Sequence, residues 1–290
     1  MLYEQRTNLC GTVEEGIFDK DASHLIKGFG RLTEGKKTYT NGDVDEGKFD
    51  KDTGRLIEGK KLPNGVEIND TDERPDCLVY RMLRGESFPK GWILEGTFDK
   101  DTGFLIKGRL ELEYNGVGEN GKEIREGIFN QGRLIRGKIT NLKFGSIEEG
   151  IFRWERLVQG KSTSPRGMIE EGVWDCLEFV GTKTFPNDYH GEVGCVAEGT
   201  FGVGGEFGFG MIRGSIRYDD GRVFVSDIKT RNRTKYYNGT SIKGRMSFKN
   251  GMYQEGTFLY NGFNKISILE GKILHADGTI EFVNNLAEAA

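Results

Sequence analysis

A short string recurs along this chain and decides what it can fold into: Glu, Gly, any residue, then an aromatic. The copies are Glu15-Gly16-Ile17-Phe18, Glu46-Gly47-Lys48-Phe49, Glu95-Gly96-Thr97-Phe98, Glu126-Gly127-Ile128-Phe129, Glu149-Gly150-Ile151-Phe152, Glu171-Gly172-Val173-Trp174, Glu198-Gly199-Thr200-Phe201 and Glu255-Gly256-Thr257-Phe258. Self-similarity of this kind marks a repeat architecture, in which each small unit completes its apolar face only against its neighbours. Most successive copies lie about 22 to 31 residues apart, and two longer gaps hold degenerate units around Ile68-Asn69-Asp70 and Phe224-Val225-Ser226-Asp227. Ile280-Glu281-Phe282 reads as a final partial unit. The expectation is a single repeat domain over 1–290 of about ten units, with a lead-in over 1–11, repeats over 12–283 and a tail over 284–290.

A second string follows the first: an aliphatic pair, one residue, glycine, then a basic residue, as in Leu56-Ile57-Glu58-Gly59-Lys60, Leu105-Ile106-Lys107-Gly108-Arg109, Leu134-Ile135-Arg136-Gly137-Lys138 and Leu157-Val158-Gln159-Gly160-Lys161. Leu269-Glu270-Gly271-Lys272 is a shorter form of it. Asn41-Gly42, Asn64-Gly65, Asp220-Gly221, Asn250-Gly251 and Asp277-Gly278 lie between the two strings. Asn-Gly and Asp-Gly between short β-prone runs signal hairpins, and a type I′ turn with positive φ at both central residues is the predicted form. The other turn is Asp50-Lys51-Asp52-Thr53-Gly54, repeated at Asp99-Lys100-Asp101-Thr102-Gly103 and worn down at Asp19-Lys20-Asp21-Ala22-Ser23. Its Asp-x-Asp start resembles a calcium loop, but an EF-hand needs an oxygen ligand where Gly54 stands and a Glu where Lys61 stands. A plain turn is the better reading.

Each unit is then two short strands and two turns, and the predicted fold is all-β: an elongated antiparallel meander of successive hairpins in a solenoid-type single sheet. Within a unit the three defining residues take separate roles. The glycines Gly16, Gly47, Gly96, Gly127, Gly150, Gly172, Gly199 and Gly256 share a face with the aromatics Phe18, Phe49, Phe98, Phe129, Phe152, Trp174, Phe201 and Phe258. Without a Cβ, each is expected to leave a slot for an aromatic of a neighbouring strand. Folding the hairpins sets Lys36 opposite Glu46, Lys138 opposite Glu149, Lys161 opposite Glu171 and Arg245 opposite Glu255, as charges that fix the register. In the degenerate unit Lys60 meets Asp70. Five residues before each aromatic stands an apolar residue: Val13, Val44, Ile93, Ile124, Ile147, Ile169, Val196 or Tyr253. That odd spacing allows either two apolar faces or a bulge near the glycine.

Composition narrows the function classes. Glycine numbers 44 of 290 residues against 5 prolines, without collagen triplets or serine-rich tracts, which suits many turns and close backbone approaches. A net charge of -4, with both signs interspersed, gives no footprint for a nucleic-acid backbone or an anionic membrane. Met1-Leu2-Tyr3-Glu4-Gln5-Arg6 lacks the features of a signal peptide, and no long apolar run is present, so a soluble intracellular product is expected. Cys10, Cys77, Cys176 and Cys195 form no CxxC pair and read as free thiols.

These hairpins, with Gly-x-aromatic strings, paired glycines and Asn-Gly or Asp-Gly turns, resemble MORN repeats (membrane occupation and recognition nexus) from about Thr12 to Phe282. The family unit usually begins Tyr-x-Gly, whereas Glu holds the first position here and several units carry insertions. The resemblance implies a scaffold that acts in assembly. Its style of unit is most similar to arrays encoded by large DNA viruses, which implies a place in a virion or capsid, and otherwise to cytoskeletal and junction scaffolds of eukaryotes.

Three function classes follow. A non-enzymatic scaffold binding other proteins, or further copies of itself, leads; its specificity would lie in the insertions, namely the segment Asp72 to Gly91, the loop Tyr114 to Gly121, and Gly202 to Gly210. An enzyme is disfavoured, since His24, His190 and His275 stand beside no nucleophile or metal partner, and no cofactor or metal site is expected. Gly202-Val203-Gly204-Gly205-Glu206-Phe207-Gly208 lacks the Lys-Ser or Lys-Thr of a phosphate loop. A membrane adaptor rests on the basic stretch Lys229-Thr230-Arg231-Asn232-Arg233-Thr234-Lys235 beside Tyr236 and Tyr237, which reads better as a solvated turn.

Overall fold

The structure is a computed structural model that describes residues 3–19, 30–64, 92–116, 119–175, 178–188, 193–202, 210–226, 235–236, 239–260 and 266–285. The expected all-β antiparallel meander is what forms. The chain divides into two compact units, Met1–Leu157 and Val158–Ala290.

In the first unit the strands are β1 (Tyr3–Thr7), β2 (Val13–Phe18), β3 (Leu32–Thr38), β4 (Val44–Phe49), β5 (Leu56–Leu62), β6 (Ile93–Phe98), β7 (Leu105–Gly116), β8 (Glu119–Asn130), β9 (Arg133–Asn141) and β10 (Ser146–Arg153). Each pairs antiparallel with the next. Tyr114 to Gly121 is no separate loop: β7 and β8 stay in register out to Gly116 and Glu119, so the insertion lengthens a hairpin. Its alternating Leu110-Glu111-Leu112-Glu113 carries the strand pattern onward, and Leu110 and Leu112 are buried.

The second unit begins within β11 (Arg156–Thr163) and holds β12 (Ile169–Trp174), β13 (Glu178–Phe185), β14 (Cys195–Gly202), β15 (Gly210–Tyr218), β16 (Val223–Ser226), β17 (Lys235–Tyr236), β18 (Gly239–Ser247), β19 (Tyr253–Tyr260), β20 (Ile266–Leu274) and β21 (Ile280–Asn284). Consecutive strands pair as far as β16. There β16 and the two-residue β17 share one side of β18, and the meander resumes through β21.

Glycines of both strings meet in one row across each unit. In the first it runs Gly16, Gly35, Gly47, Gly59, Gly96, Gly108, Gly127, Gly137, Gly150, one per strand from β2 to β10. In the second, Gly160, Gly172, Gly181, Gly199 and Gly214 align. Ser226 stands opposite Gly244, and the row continues with Gly256 and Gly271. Ser226 is a buried substitute whose hydroxyl accepts the Gly214 N–H at 2.7 Å.

The Gly96–Gly108 pair shows why the residue type is fixed. A Cβ on Gly96 would lie 2.1 Å from the Lys107 carbonyl oxygen and 2.8 Å from the Gly108 Cα, and one on Gly108 would meet Glu95 and Gly96 in the same way. Both also have φ near +145°, which side chains rarely adopt. The predicted slot for a ring is therefore filled mostly by the backbone of the next strand. A ring also comes close at Gly172, where Phe179 approaches, and at Gly244, where Phe224 does.

Just past several of these glycines the register shifts by one, as at Ile17/Phe18, Lys48/Phe49, Thr97/Phe98 and Ile128/Phe129. The extra residues, Thr33, Ile57, Ile106 and Ile135, belong to the partner strand. The bulge sets Phe18, Phe49, Phe98 and Phe129 opposite Leu32, Leu56, Leu105 and Leu134, all buried. Removing such a ring and its leucine from water stabilises by about 1.5 to 3 kcal/mol per side chain. Because the extra residue lies on the partner strand, alternation within the aromatic's own strand stays regular and turns the apolar residue five before it to the opposite face: Val13, Val44, Ile93, Ile124, Ile147 and Ile169 are half-buried and Val196 is exposed. Position four before shares the buried face instead, as with Leu94 and Phe98 or Ala197 and Phe201.

The Asn-Gly and Asp-Gly turns differ from the type I′ form. Gly42 has φ +86° but Asn41 does not join it in positive φ; Gly42 N–H donates to Tyr39 and Tyr39 N–H to Asp43, closing a three-residue loop. The Asn41 Oδ1 accepts the Asp43 N–H at 3.0 Å, so asparagine serves as a local acceptor and glycine alone supplies the left-handed residue. Asp220-Gly221, Asn250-Gly251 and Asp277-Gly278 close in the same way. Two-residue turns with positive φ at both positions occur at Gln131-Gly132 and at Trp154-Glu155.

Candidate interaction surface

Two faces of the sheet carry distinct chemistry. On the open face of the first unit, residues one past or one before the row glycines line up as Glu15, Lys36, Glu46, Lys60, Glu95, Arg109, Glu126, Lys138 and Glu149, an unbroken alternation of sign over nine strands. All are exposed or half-buried. On the other side of the glycines runs Ile17, Glu34, Lys48, Glu58, Thr97, Lys107, Ile128, Arg136, Ile151. The second unit's corresponding row is broken: Lys161, Glu171, Thr182, Glu198, Ser215, Val225, Arg245, Glu255, Lys272.

The structure places Lys36 across from Glu46, Lys138 from Glu149, Lys161 from Glu171 and Arg245 from Glu255. At those four places the charged heads do not close to ion-pair distance. Ion pairs on this face form instead between Lys48 and Glu58 at 2.9 Å, Arg109 and Glu126 at 3.4 Å, and Lys272 and Glu255 at 3.3 Å, and Arg109 and Lys122 both pair with Glu111 at 2.7 Å. The Arg245 guanidinium sits 3.8 Å over the Tyr253 ring. Solvated charges of this kind contribute about 0 to 1 kcal/mol per pair, so the row leaves its heads available to a partner. Lys60 stands between Glu46 and Glu95, and Asp70 lies outside the described residues.

A second ionic row, on the buried face, has no counterpart in the sequence reading. Arg6, Glu14, Lys37, Asp45 and Lys61 follow one another across β1 to β5 with alternating sign. Three cations share one geometry. Arg6 lies 4.0 Å over the Phe18 ring and donates to the Gly30 carbonyl; Lys37 lies 5.0 Å over Phe49 and donates to Gly54; Lys61 lies 4.8 Å over Phe98 and donates to Gly103. Each cation thus ties its strand to the ring and the loop glycine that follow. Lys37 also pairs with Glu14 at 2.9 Å. Burial pushes Asp45 above the usual carboxylate range, with Lys61 only partly countering it, and burial lowers Lys61. The Tyr39 hydroxyl donates to Asp45 at 2.9 Å and is itself raised, first by burial and then by that carboxylate. The signal that could have revealed the row is Gly-Lys-Lys at Gly35 and Gly59, whose second lysine falls on the glycine's own face.

Farther along this face stands Arg125, 4% exposed, its Nε donating to Glu123 at 2.6 Å and an Nη to Glu155 at 2.7 Å. Glu155 reaches it from the Trp154-Glu155 turn, where both residues have positive φ. Burial and then Glu123 raise the Glu148 carboxyl beside this group. In the second unit Lys183, 4% exposed, pairs with Glu170 at 2.7 Å and lies over the Phe201 and Phe179 rings.

The defining aromatics Phe18, Phe49, Phe98, Phe129, Phe152, Phe201 and Phe258 are buried, and Trp174 is half-buried, 4.9 Å from the Phe179 ring centre. Burial pushes the Cys195 thiol up to about 12, so it stays protonated and unreactive at neutral pH. In the loop at Asp50 one carboxylate oxygen accepts the Asp52 and Thr53 N–H groups and the Thr53 hydroxyl, which holds Asp50 below its usual range. That oxygen is committed to closing the turn. His275 is half-buried, 3.2 Å from Glu281. His24, His190, Cys77, Cys176, Asp72 to Gly91, and nearly all of Gly202 to Gly210 and Lys229 to Lys235 lie outside the described residues. Among the described residues no helix is long and apolar enough to cross a membrane, and no group of three metal-ligating side chains forms.

No protein-family profile matches the chain, and no curated protein matches it.

Proposed function

We propose that this chain is a non-enzymatic scaffold of the MORN-repeat kind that mediates protein–protein assembly through the open face of its sheet, as a component of a virion or a comparable large particle. The observation that carries the reading is the nine-strand alternation from Glu15 to Glu149, with most of its charged heads held apart and solvated above a backbone locked by glycines. Alternating signs cancel at a distance, so such a surface exerts little pull on a uniformly charged polymer or membrane; it recognises a partner at short range, by register. The buried face contributes rigidity. Its cations are engaged with rings and loop carbonyls, which suits a framework more than a reaction centre.

The test is recovery of the protein from its native source by gentle lysis, followed by gradient sedimentation and crosslinking. The expected result is sedimentation with a defined neighbour at a mass far above 32.6 kDa. Sedimentation as a lone chain of that mass, together with a measurable turnover, would overturn the reading.

A further inference from the structure

The open face of β7 to β10 differs from the rest of the first unit. Here the charge row narrows to Arg109, Glu126, Lys138 and Glu149, one on each strand. Alongside it Ile128 and Ile151 flank Arg136, and the bulge residues Ile106 and Ile135 stand next to them. These four isoleucines are 40 to 43% exposed. Single exposed aliphatic side chains are ordinary, but a group on adjacent strands, interleaved with the long stems of Lys107 and Arg136, offers more apolar area than isolated side chains do.

The order of signs decides the occupant. A two-fold axis running along the strands, midway between β8 and β9, lays β7 of one copy on β10 of another and β8 on β9, without moving any residue along its strand. Arg109 then faces Glu149 of the second copy, and Glu126 faces Lys138. All four facing pairs of the row are opposite in sign, because an even number of alternating charges becomes its own complement when reversed. Axes that keep strand order unchanged do not give this match along the row. Sheets that pack face to face with strands nearly aligned adopt this kind of arrangement, and an interface on a two-fold axis must be self-complementary in this way.

We infer that the face formed by β7 to β10 is an isologous docking surface for a second copy of this chain: the Arg109–Glu149 and Glu126–Lys138 pairs form across the axis, and in the neighbouring row Ile128 and Ile151 lie against the aliphatic stems of Arg136 and Lys107 of the second copy, with Ile106 and Ile135 beside them. This deepens the scaffold reading and rests on it: the scaffold's building block is a dimer.

The full chain is to be followed by sedimentation equilibrium across a hundredfold concentration range at low and high salt. The expected result is twice 32.6 kDa at low salt, with weaker association as salt rises. Glu126→Lys sets lysine against Lys138 of the other copy twice per dimer and shifts the population to monomer. Adding Lys138→Glu restores the dimer, since both signs are then exchanged. Ile128→Ser, which leaves every charge in place, weakens association at least tenfold. Far-ultraviolet circular dichroism of each variant separates loss of dimer from loss of fold, and Ile151→Ser replaces any variant that fails to fold. A native chain that stays monomeric throughout, a dimer indifferent to Glu126→Lys, or a double variant that does not recover would overturn the inference. A monomeric chain still recovered in a large native assembly would sink the dimer and leave the scaffold reading standing.

Discussion

The ammonium of Lys61 rests 4.8 Å above the centre of the Phe98 ring and donates to the carbonyl of Gly103, the glycine that ends the next loop. One side chain therefore links a strand, the following strand and the turn beyond it. Most of its favourable burial comes from the four-carbon stem, with about 0.5 to 2 kcal/mol from the cation over the ring. Lys61→Ala should cost about 2 kcal/mol, while Lys61→Met, which keeps the stem and removes a charge that burial disfavours, should cost less than half of that. Urea denaturation midpoints of the two variants give the comparison, and equal losses would show that the charge, not the stem, dominates.

The glycine row and the loop glycines should respond differently to the same substitution. Gly96→Ala drives a methyl into the Lys107 carbonyl at 2.1 Å in addition to straining the backbone, so a loss of at least about 3 kcal/mol is expected. At Gly251 nothing lies within 4 Å of an added Cβ, and only the φ of +85° opposes it, so Gly251→Ala should cost about 1 to 2 kcal/mol. Thermal unfolding of both variants under identical conditions measures the ratio.

Arg125 holds Glu123 and Glu155 out of water. Arg125→Met deprives two buried carboxylates of the guanidinium and should cost about 3 to 5 kcal/mol, whereas the triple change Arg125→Met, Glu123→Gln, Glu155→Gln should recover most of it. Guanidinium denaturation of the single and triple variants tests this; a triple variant as unstable as the single one would show that the cost lies in lost packing.

Two carboxylates on this chain should tilt the acid side of the stability profile in opposite directions. Glu111 is held below its ordinary value of 4.5, chiefly by its hydrogen bond to Lys122 and also by Arg109. Its stabilisation is complete above pH 4.5 and is lost as pH falls through the lower folded value. Asp45 is raised above 3.8 by burial, so its contribution is complete below pH 3.8 and is lost as pH rises through the folded value. Glu111→Gln should therefore make the acid loss of stability shallower, and Asp45→Asn should make it steeper, in urea titrations repeated across that window.

The strands and their partners were legible because one string supplied the period, the turn residues and the facing charges together. Lys36 opposite Glu46 follows from counting outward from Asn41-Gly42, whatever the turn's type. The turn type itself was not legible, since Asn-Gly serves both two-residue and three-residue loops and the choice depends on which side chain caps the next amide. The role of the glycines was half legible. Their sharing of a face with the aromatics can be read from spacing, but their pairing with each other depends on aligning two different strings across a bulge. The buried row from Arg6 to Lys61 was obscured because lysine and glutamate ordinarily mark solvent, and only the partner strand's ring and carbonyl make such a place tolerable. Tyr114 to Gly121 reads as a loop from its asparagines and glycines, although the strand pairing continues as far as Gly116 and Glu119.

Gly59 and Gly96 neighbour each other across a long insertion, and Gly127 and Gly137 across a two-residue turn, yet all four stand in one line. That line acts as a datum. Segments can lengthen or shorten at the hairpin ends without disturbing what is set against it, whereas a single residue gained or lost inside a strand would put a side chain where only hydrogen fits. Such a chain can diversify freely along its margins while its midline admits almost no spelling but one.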